Sequence, residues 1–326
     1  MSRRRWFKTG SAILLILIML GCFDSVQAQK RYPARPVDIV VAAPAGGSTD
    51  LAARIVSGYV SKKWNSPVNV INKPGGNNVP GLLEVYSATP DGYTLIGDGM
   101  SQSYMMVVAV KNLPFKVMDR TFIASVSDSP LIIVVATSSP YKTLKDLETE
   151  AKKNPEAFTW GSQGGSGAPD FATRQFFKSI GVDALKTKPV LVRGGSDSAS
   201  LSAGGHIKMA MVTVAAGFSI IKGGLVRGLA VCDKKRSPEF PDIPTTEELG
   251  YPGVDAVVWN GISGPPDLSA AVVELWEREL EGMVKDPDVV AKMRNIGLTP
   301  SFRNSHETKE MVRKKIDEAE RLWGLK

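Results

Sequence analysis

Short runs of apolar, mostly β-branched residues alternate along this chain with longer stretches in which apolar positions recur with helical spacing. The short runs predict eight strands, over residues 37–42, 68–71, 93–96, 131–136, 158–161, 189–192, 208–212 and 225–231. The longer stretches predict helices over 49–64, 144–153, 169–180 and 268–285. Alternation of strands and helices is typical of an α/β fold built on parallel sheets.

The start of the last helix is marked by a pair of polar residues. Asn304 is followed three residues later by Glu307. This spacing predicts a capping box, in which each of the two side chains accepts a hydrogen bond from the backbone N–H of the other residue.

Two stretches beside very apolar runs predict crossings between lobes. Residues 125–130 precede one such run, and residues 231–237 follow another. The length of the chain also favours two lobes. We predict a middle lobe over 131–230, a first lobe built from 29–130 and 231–326, and hinges near 130 and 231.

The N-terminus predicts export. Basic residues at 3–5 and 8 precede an apolar run over 12–20, which is too short to span a membrane and is typical of a signal peptide, here residues 1–28. Small residues at 26 and 28 favour cleavage before Gln29. A second site, an imperfect lipobox over 19–22, would instead leave a lipidated Cys22. We expect a periplasmic or other extracytoplasmic protein.

Composition excludes several classes of protein. Without the leader, 36 of the 40 Lys and Arg residues and 32 of the 33 Asp and Glu residues remain, a net charge of +4. No basic block suited to nucleic acid occurs. Only Cys22 and Cys232 are present, so the mature chain has no internal disulfide and no thiolate metal site.

The first candidate binding loop follows the first predicted strand and opens the first helix. A glycine pair at such a corner lets backbone N–H groups approach a ligand, and the helix N-terminus favours an anion. Ser48 or Thr49 can also cap the helix. An ordinary strand-to-helix turn is the alternative. The candidate residues are Ala45, Gly46, Gly47, Ser48, Thr49 and Asp50.

A second glycine-rich corner follows the predicted strand at 158–161. Pro169 suits the first turn of the next helix. Further walls are expected from 73–78 and from 193–196, where Arg193 is a candidate ligand-binding residue. Two such corners in different lobes suggest one anionic ligand held from both sides. The candidate residues of this corner are Gly161, Ser162, Gln163, Gly164, Gly165, Ser166 and Gly167.

The order and spacing of these segments resemble the substrate receptors of tripartite tricarboxylate transporters, the Bug or TctC-like family. The likeness runs from Tyr32 to Trp323, nearly the whole mature chain. The segments that carry it are 44–54, 72–81, 89–95, 227–230, 241–245, 259–266 and 286–299.

The resemblance implies a two-lobe Venus-flytrap fold of the type II periplasmic-binding class. It also implies a small carboxylate ligand, held by loops 46–50 and 161–167 partly through ordered waters, and delivery to the membrane subunits of a transporter. Relatives take tricarboxylates, dicarboxylates, acidic amino acids or aromatic acids. This sequence departs from the family pattern at Ala43, Asp170, Arg174 and Lys208, which bear on specificity.

Catalysis is weakly supported by the sequence. His206 lies in a glycine turn and His306 at a helix start, and the sequence around Ser166 misses the nucleophile elbow at its last position. We therefore predict a monomeric binding protein with no catalytic residues, no metal and no cofactor. A sensory protein that signals to a membrane partner is the main alternative, and an exported hydrolase is a weaker one.

Overall fold

The computed structural model describes residues 32–165, 167–322 and 325–326. The predicted signal peptide, both of its cleavage sites and Ser166 lie outside these residues. The chain divides into two units, residues 1–35 and residues 36–326, and the second contains every described helix and strand. Within the described residues, no helix combines the length and the apolar character needed to cross a membrane.

Ten strands and ten α-helices are described. The strands are β1 (Val37–Val41), β2 (Val68–Asn72), β3 (Thr94–Gly99), β4 (Thr121–Ala136), β5 (Thr159–Ser162), β6 (Lys188–Leu191), β7 (Ala210–Thr213), β8 (Val226–Cys232), β9 (Val257–Gly264) and β10 (Thr299–Arg303). The helices are α1 (Ser48–Trp64), α2 (Val79–Tyr86), α3 (Tyr104–Ala109), α4 (Leu144–Lys153), α5 (Ala168–Ser179), α6 (Gly195–Ala203), α7 (Val214–Lys222), α8 (Ala270–Lys285), α9 (Pro287–Arg294) and α10 (Ser305–Leu322).

The eight strands predicted from the sequence all occur, with shifted ends, but the sheets are mixed rather than purely parallel. The main path runs β10-β4-β9-β3-β1-β2. Only the β2-β1-β3 part of it is parallel, whereas β9, β4 and β10 pair antiparallel. The antiparallel part of this path was not predicted, because β9, β10 and the first half of β4 were not recognised as strands in the sequence.

Strand β4 belongs to two sheets. Its first part, through Pro130, pairs with β9, and its second part, from Leu131, pairs with β7 on one side and β8 on the other. Successive side chains of the second part point to opposite faces of the sheet, as in any strand, and so they pack into two different apolar clusters. Leu131 and Ile133 belong to the apolar cluster that contains the aromatic rings of α5, whereas Ile132 belongs to the cluster formed with β7 and β8.

The second crossing of the chain lies beside the first. Pro130 is opposite Val257 in the β4-β9 register, and the N–H of Ala256 donates to the carbonyl of Cys232 (2.9 Å). Between these points the chain packs on the middle part of the fold: the Tyr251 ring lies 5.9 Å from that of Phe176. These contacts favour a second crossing at 256–257, and we propose that position for the lobe boundary instead of 231.

The capping box predicted for the last helix is confirmed. The N–H of Asn304 donates to Glu307 Oε2 (3.0 Å), and the N–H of Glu307 donates to Asn304 Oδ1 (2.9 Å). The same reciprocal arrangement joins Thr143 and Asp146 at the start of α4. Both helices therefore begin with backbone donors satisfied by their own side chains.

Candidate functional site

A cavity of about 1040 Å³ lies where several strand-to-helix loops converge. Its wall is formed mainly by residues at and after the ends of β1, β2, β3, β5, β6 and β7, and Val258 of β9 is the contribution from the C-terminal part of the described chain. The size is at the upper end of the range for small-molecule sites. The lining residues include Ala43–Ala45, Gly47–Thr49, Pro74–Asn78, Ser101, Gln102, Gln163, Ala168, Pro169, Leu191–Asp197, Ser200, Thr213, Ala216 and Val258.

The loop after β1 is organised by a buried carboxylate. Asp50 is 1% exposed and accepts hydrogen bonds from the N–H of Gly46 (2.9 Å), from Arg54 Nε (3.0 Å) and from Asn72 Nδ2 (2.8 Å). Gly46 has a φ of +81°, a left-handed conformation that favours glycine. The Gly46 amide thus donates to the protein's own carboxylate. The sequence had instead suggested that this N–H points freely towards a ligand.

The loop after β5 has the same design. Asp170, also 1% exposed, accepts from the N–H groups of Gln163 (2.8 Å) and Gly165 (3.1 Å) and from the Ser162 hydroxyl. Burial raises the pKa of Asp170, and these hydrogen bonds oppose that shift. The N–H of Gly164 donates to Ser162 Oγ (3.1 Å). The glycine amides of this corner are therefore also used within the loop.

The helix starts at both corners remain without side-chain caps. Helix α1 begins after Gly47 and helix α5 after Gly167, and neither residue offers a side chain. The expected cap by Ser48 or Thr49 is therefore wrong, because both residues already lie inside the helix. Helix α6, whose first residues also line the cavity, begins after Gly194 in the same way. Three helix N-termini face one cavity, an arrangement that favours an anion.

The candidate site residues are divided by the structure. Those that line the cavity are Ala45, Gly47, Ser48, Thr49, Gln163 and Arg193. Gly46, Asp50, Ser162, Gly164 and Gly165 form the hydrogen-bonded frame behind them. Gly161 and Gly167 occupy crowded backbone positions: a Cβ on Gly161 would lie 2.1 Å from Ser198 Oγ, and one on Gly167 would lie 2.4 Å from Gln163 Oε1.

The only charged side chains on the described lining belong to Arg193 and Asp197. Arg193 is 89% exposed and its Nε lies 3.7 Å from Asp197 Oδ2. Its charge is therefore largely screened by solvent and partly balanced. The remaining described wall consists of hydroxyls, amides, backbone and apolar side chains, so it offers hydrogen-bonding groups and helix N-termini rather than charged side chains.

Of the four departures from the family pattern, three lie at or beside the site. Ala43 lines the cavity, and Asp170 braces the second corner. Arg174 is exposed on α5 with its Nη2 4.0 Å from the Cβ position of Gly165, whereas Lys208 forms an ion pair with Glu150 away from the cavity. Lys208 therefore acts in the packing of the middle segment.

Sequence reasoning missed the wall that follows β3. Ser101 and Gln102 line the cavity, and the Ser101 hydroxyl accepts from the N–H of Ala168 (3.3 Å). A second contact of this kind joins the Ser196 hydroxyl to the carbonyl of Gly46 (3.0 Å). The position of Ser101 and Gln102 just after the carboxyl end of β3 was the signal by which the sequence could have indicated them. Both contacts join the N-terminal segment before β4 to the middle segment of the chain at the cavity.

Within the described ranges, no cluster of three or more His, Cys, Asp or Glu side chains could hold a metal ion. The fold and the cavity together define the class: an α/β periplasmic binding protein of the two-lobe, Venus-flytrap type, with a curled mixed sheet.

The particular family follows from comparison with known proteins. Residues 52–323 match the family model described as "Tripartite tricarboxylate transporter family receptor", and the chain belongs to that family. A UPF0065 protein of Agrobacterium vitis is 31% identical over 304 residues, covering 91% of this chain and 85% of the relative.

Two solved structures share the fold. The periplasmic binding protein BugD is 25% identical and superposes with a TM-score of 0.83, covering 90% of this chain and 98% of BugD. MatC from Rhodopseudomonas palustris, solved with bound malate, is 20% identical and superposes with a TM-score of 0.82, covering 90% of this chain and all of MatC.

Proposed function

We propose that this receptor binds a small carboxylate-bearing molecule in the cavity between its two lobes and delivers it to the membrane subunits of a tripartite tricarboxylate transporter. The observation that carries the proposal is the convergence of three uncapped helix N-termini on one cavity. Such ends offer backbone N–H donors and partial positive charge to an anion. The malate bound by MatC, a protein of the same fold, supports this ligand class.

The proposed ligand-binding residues are the six candidates that line the cavity, supported from behind by the Asp50 and Asp170 carboxylates. A carboxylate near Ser48 and Thr49 would lie at the start of α1, while Gln163 and the start of α5 would face it from the middle lobe. Binding to both lobes at once would favour the closed arrangement, because the ligand then interacts more strongly with that arrangement than with an open one.

The proposal extends to the cell compartment. The family is a periplasmic solute-binding family, and the basic and apolar leader in the sequence supports export across the inner membrane. Delivery then requires that the transporter's membrane subunits recognise the liganded receptor. Release of a radiolabelled acid into vesicles containing those subunits, dependent on the receptor, is the direct measurement of this step.

Thermal-shift screening of residues 29–326 against organic acids tests the binding function. An acid present at 100 times its Kd should raise the free energy of unfolding by about 2.7 kcal/mol. Replacing Ser48, which is 6% exposed on the cavity wall, by Ala should weaken the best acid about tenfold, since a hydrogen bond to a charged group is worth roughly 1.5–3 kcal/mol.

The matched control is Ser219→Ala, an exposed serine on α7 that is not part of the cavity lining. It should leave the affinity unchanged. Failure of every acid to stabilise the protein, or equal affinity of the Ser48 variant and the native chain, would count against the proposed ligand class and site respectively.

A further inference from the structure

The wall that follows β3 carries a buried hydrogen-bond acceptor that no described residue satisfies. Gln102 is 2% exposed, lines the cavity, and its Oε1 accepts no hydrogen bond from the described protein. An unsatisfied buried acceptor costs roughly 1–3 kcal/mol. A ligand that donates a hydrogen bond here would recover that free energy, whereas one without a donor would leave the cost in place.

The backbone that carries Gln102 is held by a buried ion pair. Arg120 Nη2 donates to the carbonyl of Gln102 (3.0 Å), and Arg120 Nη1 lies 3.2 Å from Asp98 Oδ1. Both charged side chains are fully buried. Asp98 is fixed in turn by the N–H of Gly99 (2.8 Å) and by the Ser263 hydroxyl (2.6 Å). The position of Gln102 is therefore set before any ligand arrives.

A second acceptor lies beside the first. Thr49 Oγ1 donates to Asn260 Oδ1 (3.2 Å), and Asn260 Nδ2 donates to Ser127 Oγ (3.2 Å). The Thr49 hydroxyl proton is thus engaged, and its lone pairs remain for the cavity. A Cβ on Gly99 would lie 3.0 Å from Thr49 Oγ1 and 3.3 Å from Gln102 Oε1, so both oxygens lie close to the same point of the β3 wall.

We infer that Gln102, together with Thr49, determines specificity by selecting acids that carry a hydrogen-bond donor, a hydroxyl or an amine, besides the carboxylate. The inference rests on the proposed function, because it assigns a second recognition element to the same cavity. The uncapped helix starts bind the carboxylate, and the two acceptor oxygens of the β3 wall bind the donor. Plain acids of the same size lack the second interaction.

Isothermal titration calorimetry with matched pairs of acids tests this assignment. The pairs are succinate with malate, succinate with aspartate, glutarate with glutamate, and benzoate with 4-aminobenzoate. For the pair that binds best, the donor-bearing member should bind the native protein at least about tenfold more tightly, since tenfold corresponds to about 1.4 kcal/mol.

Two variants isolate the acceptor. Gln102→Leu removes one of the two acceptors and should lower the ratio of the two affinities about fivefold by weakening only the donor-bearing acid. Gln102→Glu retains an acceptor and should keep the preference for the amino-substituted member. Gln175→Leu is the matched control, because Gln175 Oε1 is also unsatisfied among the described residues but lies outside the cavity lining. Melting temperatures without ligand verify that each variant is folded.

The possible outcomes separate the two proposals. If the native protein binds members of a pair equally, or if Gln102→Leu keeps the full preference, carboxylate binding stands and the role of Gln102 is refuted. Loss of the preference in Gln175→Leu as well would also refute it. If none of the acids binds the native protein, the proposed function itself fails, and the specificity assignment fails with it.

Discussion

Asp50 shows how single residues define this site. Its carboxylate is almost completely buried, yet it accepts hydrogen bonds from a backbone amide, a guanidinium and a side-chain amide. Because these partners come from the loop after β1, from α1 and from β2, one side chain holds three segments together. Its part in ligand binding is to support the loop whose outer residues form the cavity wall.

Replacing Asp50 by Asn should therefore act on stability as well as on binding. The substitution removes the charge and turns one accepting oxygen into a donor that faces other donors, a cost of about 2 kcal/mol in the free energy of unfolding. Urea denaturation monitored by circular dichroism measures it. Asp38→Asn is the control, since Asp38 accepts a hydrogen bond from the exposed Asn69 and should lose less than about 0.5 kcal/mol. Equal losses in the two variants would contradict a bracing role for Asp50.

The sequence allowed the corners to be located but not the partners of their amides. Glycine pairs after apolar runs indicate strand-to-helix turns, and the loops at 44–50 and 161–167 were found in that way. Whether the N–H of Gly46 points to a ligand or to Asp50 depends on the fold of the loop, which the spacing of residues does not specify. Gln102 was missed for a related reason, because its buried position depends on contacts with α1, where Thr49 lies, and with Arg120, which the spacing of residues does not specify.

At the level of elements, strands β4 and β9 determine how the two lobes are joined. They run antiparallel from Thr121–Gly264 to Pro130–Val257, so the two crossings that we propose, near 130 and at 256–257, lie side by side. Strand β9 was not predicted because asparagine, serine and glycine interrupt its apolar pattern. These residues are required there: Asn260 bonds to Thr49, Ser263 to Asp98, and Gly261 allows the close approach of β4.

Gly261 provides a sharp test of this close approach. A Cβ on this residue would lie 2.1 Å from the carbonyl oxygen of Ala124 and 2.9 Å from the Cα of Ser125. Backbone atoms cannot move aside cheaply, so Gly261→Ala should lower the free energy of unfolding by about 3 kcal/mol.

Gly58→Ala is the opposite control for Gly261→Ala. Gly58 lies within α1 and is exposed, and no atom lies within 4 Å of its Cβ position, so alanine should stabilise the protein by about 0.5–1 kcal/mol through helix propensity. Thermal unfolding of the two variants in parallel should show shifts of opposite sign. A neutral Gly261→Ala would mean that β4 and β9 are not so closely packed.

For the whole molecule, we propose that contacts across the cavity stabilise a closed arrangement of the lobes. The Ser196 hydroxyl donates to the Gly46 carbonyl (3.0 Å), joining the start of α6 to the first corner. A neutral hydrogen bond contributes about 1 kcal/mol, or roughly a fivefold change in an equilibrium between open and closed forms.

Ser196→Ala should accordingly shift the free protein towards the open form and weaken ligand binding about fivefold. Small-angle X-ray scattering would detect a larger radius of gyration without ligand, and saturating ligand should restore the native value. Ser179→Ala removes a serine hydrogen bond within α5, to the carbonyl of Phe176, and should change neither measurement. An unchanged radius and affinity for Ser196→Ala would show that this bond does not contribute to closure.

The two buried carboxylates behind the corners have a consequence for how the ligand specificity of such a receptor can change. The Asp50 and Asp170 carboxylates accept hydrogen bonds from the loop N–H groups, so both loops are held in place without a ligand. Under the role that we propose for Gln102 and Thr49, recognition depends on the few wall atoms that remain available to a ligand. Substitutions of wall residues would then change which ligand is bound, while Asp50, Asp170 and the loops that they hold remain unchanged.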